Sequence, residues 1–167
     1  MITYEEALDI VLKSSYLFDK EDVEILNSVG RILAEDVLSD INMPPFNRSA
    51  VDGFACRKAD IDNELAVIET VRAGQYPSKI ISEGQSIRIM TGASVPEGAD
   101  CVLMVEDTVE TDTGKIRFTG KNTKSNISPF AEDVKTGECV IKAGIRILPR
   151  HIAIMAAVGC VKPLVYK

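Results

Sequence analysis

Tryptophan is absent, histidine occurs once, and aromatic residues make up only 5% of the chain. A single histidine excludes a His-rich metal site. Any Ser-His-Asp or Cys-His machine would have to use His151, which stands among apolar residues at a predicted helix start, where a capping or surface histidine is the commoner outcome. The cysteines Cys56, Cys101, Cys139 and Cys160 stand far apart. No C-x-x-C pair exists, which excludes zinc-ribbon and thioredoxin-type readings. In settings such as Cys101-Val102-Leu103 they read as small buried hydrophobes. No apolar run approaches the roughly 20 residues of a membrane span, and no basic, apolar leader precedes the first helix. Basic residues are outnumbered 19 to 25, for a net charge of −6. That balance argues against nucleic-acid and membrane-surface partners. Reduced thiols and the lack of an export signal favour the cytoplasm.

What is present is globular in character. The 167 residues are 46% apolar and 26% charged, close to ordinary averages. That length suits one domain or two small ones and buries about two-thirds of the unfolded surface without a disulfide or metal staple.

Thr3-Tyr4-Glu5-Glu6 is a capping box: the Thr3 hydroxyl can accept the Glu6 amide, and Glu6 can reach back. Ala7, Ile10, Val11, Ser14 and Leu17-Phe18 follow at helical spacing, predicting an amphipathic helix over residues 3–18. Asn27-Ser28-Val29 can form one helical turn ended by Gly30. Residues 31–38 read as a strand in preference to a helix. Met43-Pro44-Pro45-Phe46 then changes the texture, because two prolines continue neither element. From there to Ser125 the pattern is short strands broken by glycines. Strands are predicted over 65–71, 86–90 and 101–108. Thr111-Asp112-Thr113-Gly114 signals a hairpin turn into a return strand over 115–119. Acids before the turn and lysines after it suggest opposite charges facing across the hairpin. Lys121 and Lys124 read as a solvated edge rather than an anion site. After Ser125 the predicted elements are a strand near 140–141, a helix after Pro149 and a last apolar stretch over 161–166.

The fold class expected is therefore α+β and β-rich. Residues 1–43 plus 127–167 would form a discontinuous α/β domain, and residues 44–126 an inserted, small, β-barrel-like domain.

Three segments can carry chemistry. Residues 44–55 offer a rigid entry, a polar loop and Asp52 before Gly53. Asp52 can hold a divalent cation or a water and Arg48 can grip an anion, although an ordinary turn, with Asp52 bonding its own backbone, is the commoner outcome. Residues 87–100 run from a strand into a Thr91-Gly92 turn whose amides and hydroxyls can line an oxyanion. The segment lacks a P-loop ending, and a plain glycine-rich connection is the bland alternative. Glu132-Asp133 reads as a metal site or, more commonly, a solvated corner.

Taken together, these segments resemble a family. Pro44-Pro45-Phe46 with Ser49-Ala50-Val51-Asp52-Gly53-Phe54-Ala55 looks like the signature P-x-F-D-N-S-A-M-D-G-Y-A. Ile87-Arg88-Ile89-Met90-Thr91-Gly92-Ala93, with Val95-Pro96-Glu97-Gly98-Ala99-Asp100 and Val105-Glu106-Asp107, looks like I-R-I-M-T-G-A-P-V-P-x-G-A-D…E-D. Residues 30–37 and 143–149 match at lower specificity. The family is molybdopterin molybdenumtransferase, known as MoeA in bacteria and as the gephyrin E domain in animals. The resemblance implies a transferase of molybdenum cofactor biosynthesis that takes adenylylated molybdopterin and molybdate as substrates, releases AMP and uses magnesium. It implies Asp52 and Thr91 as catalytic residues, Asp52 as a metal ligand, and Ser49, Gly92 and Asp133 as substrate-binding residues.

The sequence departs from the family pattern in three places. Asn47 and Arg48 replace the signature's Asp and Asn. Ser128-Pro129-Phe130-Ala131 replaces an arginine-rich run before the acidic pair. By this resemblance the family's next domain, which carries most of the molybdopterin-binding surface, and its C-terminal barrel are expected to lie outside these 167 residues. The expectation is a piece of a larger enzyme, or one half of a split one, inactive alone. It would need the molybdopterin-binding domain in cis or in trans and would be a homodimer at full length. The alternative is a non-enzymatic scaffold or dimerisation module of the same fold.

Overall fold

The computed structural model describes residues 2–16, 18–111 and 114–167. In chain order its elements are α1 (Tyr4–Lys13), β1 (Lys20–Asp22), β2 (Val37–Leu38), β3 (Arg48–Ser49), β4 (Gly53–Cys56), β5 (Glu64–Val71) and β6 (Gln85–Ile89). They continue with β7 (Cys101–Met104), β8 (Thr108–Glu110), β9 (Lys115–Phe118), β10 (Ile127–Ser128), β11 (Cys139–Ile141), α2 (Pro149–Ala157) and β12 (Leu164–Tyr166). The fold is β-rich, with a six-stranded sheet that curls as a half-barrel. None of the described helices is long and apolar enough to cross a membrane.

Contacts divide the chain into two compact units, residues 1–41 with 136–167 and residues 42–135. Residues 127–135 thus group with the inserted stretch. The cause is local: β10 pairs antiparallel with β3, and Val134 bridges Met43.

In the first unit, β1 pairs antiparallel with β12 and β2 with β11. Leu33, Val37, Ile147, Met155, Val158 and Val165 are buried. The capping box forms as predicted, with the Glu6 amide donating to Thr3 Oγ1 and the Thr3 amide to Glu6. The helix is shorter than its periodicity suggested and stops at Lys13. There the Ser14 and Ser15 hydroxyls donate to the carbonyls of Ile10 and Leu12, competing with continued helix. Leu17 lies outside the described residues. None of the α1 residues is buried, and Leu8, Val11 and Leu12 are all exposed. Residues 31–38 form only β2, with isolated bridges at Ile32 and Leu33. Pro149 opens α2, and His151 Nδ1 accepts the Leu148 amide at 3.2 Å, a capping role.

In the second unit the sheet order is β7-β4-β6-β5-β9-β8. Its pairs are antiparallel except β5 with β6. Side chains alternate across the sheet as a period of two requires. Ala55, Ile87, Ile89 and Val102 pack with Val71, Ile81 and Ala93, while Phe54, Cys56, Leu65, Cys101, Leu103 and Ile116 form a second cluster. Each such large side chain contributes roughly 1.5–3 kcal/mol by leaving water. The parallel β5–β6 pair needs a long return loop. The Glu69 carboxylate braces it by accepting the Ser78 and Lys79 amides at 3.1 Å.

The strand predicted over 101–108 is interrupted. A turn of 3-10 helix at Val105–Asp107 separates β7 from β8. β8 and β9 pair antiparallel; of the predicted turn, Asp112 and Thr113 lie outside the described residues. The charges do not face one another across this pair, since Glu110 stands opposite Ile116. The ion pairs run to other strands instead, Arg117 to Glu64 at 2.6 Å and Arg88 to Glu110 at 3.6 Å.

Where β4 passes β7, a Cβ at Gly53 would run into the Leu103 carbonyl. Backbone cannot give way as a flexible side chain does. Gly53→Ala is therefore expected to lower unfolding stability by about 3 kcal/mol or more, measured by urea denaturation. A change below about 0.5 kcal/mol would contradict this close approach.

Candidate functional site

One end of the six-stranded sheet gathers the two long motifs. Gly53 is the register partner of Ile89 and of Met104. The residue before β4, Asp52, therefore meets the residues just after β6 and β7. Asp52 Oδ1 accepts the Thr91 amide at 2.6 Å and the Thr91 hydroxyl at 2.7 Å. The Asp52 carbonyl accepts the Val105 amide. The side chain thus closes onto a neighbouring loop, not onto its own backbone.

The Thr91 amide, then the Thr91 hydroxyl, hold the Asp52 carboxyl below the usual carboxylate range. Partial desolvation opposes them and the positive charge of Arg88 adds to them. Asp52 Oδ2 has no hydrogen-bond partner among the described residues. Arg88 stacks on the Phe54 ring, 5.9 Å from its centroid. Its influence on Asp52 escaped the sequence reading. The signal was one basic residue flanked by two isoleucines, Ile87-Arg88-Ile89.

Beside this pair lies a cavity of about 270 Å³ lined by Arg48, Ser49, Ala50, Thr91, Gly92 and Ser128. Ser49 is buried, and its hydroxyl donates to the Val51 carbonyl at 2.6 Å. Its backbone links both loops, donating to Ala93 and accepting from Gly92. Gly92 adopts φ +82°, which favours glycine. The amides expected to line an oxyanion are engaged elsewhere: Thr91 donates to Asp52, Gly92 to Ser49 and Ala93 to Met90.

Asp133 sits at the rim, its carboxylate 3.7 Å from the Arg48 guanidinium. Its amide donates to the Met43 carbonyl, and the Phe130 amide donates to Asn47 Oδ1 at 2.8 Å. The segment after β10 is thereby pinned to the segment before β3. Glu132 and Asp133 form a corner, and no group of three or more His, Cys, Asp or Glu among the described residues could hold a metal ion. The structure therefore brings Asp52, Thr91, Ser49 and Gly92 together and sets Asp133 beside them through Arg48.

This architecture is shared with solved molybdopterin-biosynthesis proteins. A crystal structure described as molybdopterin biosynthesis moeA protein from Pyrococcus horikoshii OT3 superposes with a TM-score of 0.85 at 35% identity, over 99% of this chain and 46% of that one. A second moeA structure from Pyrococcus gives 0.86 at 32% identity, over 99% and 44%. Proteins named molybdopterin molybdenumtransferase from Staphylococcus epidermidis and Staphylococcus aureus are 38% and 37% identical over 96% and 99% of this chain. The chain spans about 40% of the length of these curated relatives. A family model for the MoeA N-terminal region (domain I and II) matches residues 2–159, and the chain belongs to that family.

Because its folded-state value is lowered, Asp52 adds stability above its ordinary titration range, about pH 4, and loses it as pH falls through the lowered value. Carbon-13 NMR titration is expected to show Asp52 ionising below ordinary aspartate. Thr91→Val, which keeps the amide and removes the hydroxyl, should move that midpoint part of the way back. An unmoved midpoint would show that the hydroxyl bond is unimportant.

Proposed function

We propose that this chain supplies one side of the active site of a molybdopterin molybdenumtransferase. That enzyme transfers molybdenum from molybdate to adenylylated molybdopterin with release of AMP in molybdenum cofactor biosynthesis. The observation that carries the reading is the Asp52–Thr91 pair: two specific motifs, distant in sequence, meet in one doubly hydrogen-bonded carboxylate. The names of relatives matching nearly the whole chain support the substrate class.

In this reading Asp52 is the catalytic carboxylate. It stays ionised, with Oδ1 fixed by Thr91, and its other oxygen would be available to hold magnesium. Magnesium binds well through one or two carboxylates plus water and phosphate oxygens, which suits a single free carboxylate oxygen. When bound, it offsets the negative charge that builds on phosphoryl oxygens during pyrophosphate cleavage. Thr91 orients Asp52 and forms part of the cavity wall. Ser49 and Gly92 shape that wall for the substrate's oxyanion end, and Asp133 sets the charge at its rim. The molybdopterin-binding domain comes from elsewhere, in cis or from a partner in a homodimer. The chain alone is inactive, and the whole enzyme works in the cytoplasm.

A second reading, an association module without catalysis, draws on α1. Its exposed Leu8, Val11 and Leu12 are suited to burial against another surface.

Complementation separates the two readings. The chain is mixed with a separately made molybdopterin-binding domain, and magnesium- and molybdate-dependent AMP release is measured. The wild-type chain should restore release and Asp52→Ala should cut it at least about a hundredfold. Equal restoration by both would remove Asp52 from the chemistry and favour the association module.

A further inference from the structure

We propose that Arg48, with Ser128 opposite it, is the oxyanion grip of the cavity, and that Asp133 is its resting counter-ion. The inference rests on the preceding reading only in taking this cavity as the substrate site.

The backbone amides of four lining residues are occupied within the protein. Ser49 donates to Ala93, Ala50 to Asn126, Thr91 to Asp52 and Gly92 to Ser49. The Ser49 and Thr91 hydroxyls donate to the Val51 carbonyl and to Asp52. The backbones of the other two, Arg48 and Ser128, are paired with each other across β3 and β10, which leaves the Arg48 guanidinium and the Ser128 hydroxyl. Arg48 is also the only lining residue with a positive charge. The β3–β10 register sets Arg48 directly opposite Ser128, the distance at which side chains across an antiparallel pair meet.

The present partner of Arg48 holds it loosely. The Arg48–Asp133 separation is 3.7 Å, with side chains 45% and 58% exposed, and exposed ion pairs of this kind are weak. A tetrahedral oxyanion offers the planar guanidinium two oxygens and more charge than one carboxylate. An anion entering the cavity draws Arg48 from Asp133, whose own charge repels it. The two residues therefore act with opposite sign. Positions 48 and 128 are also where the sequence departs from the family pattern: arginine stands at 48, and the arginine run before the acidic pair is gone.

The chemistry recognised is a tetrahedral oxyanion, either a metalate or the phosphate of a nucleotide. The chain is titrated with orthomolybdate and, separately, with AMP, following the Gly92 and Ser128 amides by NMR at several salt concentrations. Saturable shifts with molybdate alone identify the metalate, and with AMP alone the phosphate; no shift with either overturns the proposal. Arg48→Asn should weaken binding about tenfold or more and flatten its salt dependence. Asp133→Asn should tighten binding, by up to about fivefold. Arg48→Asn combined with Ser128→Arg should recover binding, since the cation returns from the facing strand. Unchanged binding by Arg48→Asn, weaker binding by Asp133→Asn, or no recovery in the double variant would each overturn the assignment. Circular dichroism confirms that each variant is folded. If these binding results hold while Asp52→Ala still supports AMP release, the proposed function fails and the anion grip stands. If Asp52 proves essential while Arg48→Asn binds normally, the grip alone fails.

Discussion

Strand β4 is hydrogen-bonded on both edges and buried along its whole length, from Gly53 to Cys56. Such a strand has no room for charge, so its polar chemistry must lie where it begins or ends. At its start the approach to the Leu103 carbonyl excludes any side chain at position 53. Asp52 is thus the nearest position at this end of the strand at which a carboxylate can stand. The register with β6 and β7 then decides what it meets: Thr91 on one side and Val105 on the other. The Asp52–Thr91 pair follows from the packing of β4. Ser49, Gly92 and the cavity follow in turn from the loops that this pair ties together.

Local chemistry was legible in the sequence wherever neighbours in sequence are also partners in space. Thr3 and Glu6 make their capping box within one helical turn. Pro149 opens a helix because its missing amide costs nothing there. The elements that depended on distant partners were not legible. Residues 31–38 have the composition of a strand, yet only Val37–Leu38 forms one, while Ile32 and Leu33 make single bridges to Arg146 and Val165. The run 101–108 looks continuous, but the 3-10 turn at Val105–Asp107 divides it, with the Val105 amide bonded to Asp52. The parallel pairing of β5 with β6 has no local signal, because its register is set by a long loop braced from Glu69.

The candidate site was legible in the same uneven way. Asp52 and Thr91 stand in motifs distinctive enough to be singled out, and the structure joins them. The function expected of the Thr91–Gly92 amides did not survive, because a glycine turn says nothing about which carbonyls its amides will find. The Thr91 and Gly92 amides find Asp52 and Ser49, and the next amide, that of Ala93, finds Met90, all within the same small unit. Arg88 was passed over for a related reason. Its relation to Asp52 arises from a cross-strand register with Phe54 that only the folded sheet defines.

A division of labour among polar groups results. Groups held by short bonds to backbone, such as Asp52 Oδ1 and the Ser49 hydroxyl, fix the shape of the loops and have little left to offer a ligand. Groups held by a single exposed, long ion pair, as Arg48 and Asp133 are, add only about 0.2–1 kcal/mol to the fold. Exchanging such a partner for a ligand costs the protein little. A loosely paired arginine beside a hydrogen-bonded wall therefore combines two requirements that conflict within one residue: preorganised shape and a charge free to be redirected. The sheet meets the first through the β4 register, and the short β3–β10 pair meets the second by keeping position 48 at the cavity while leaving its side chain nearly half exposed.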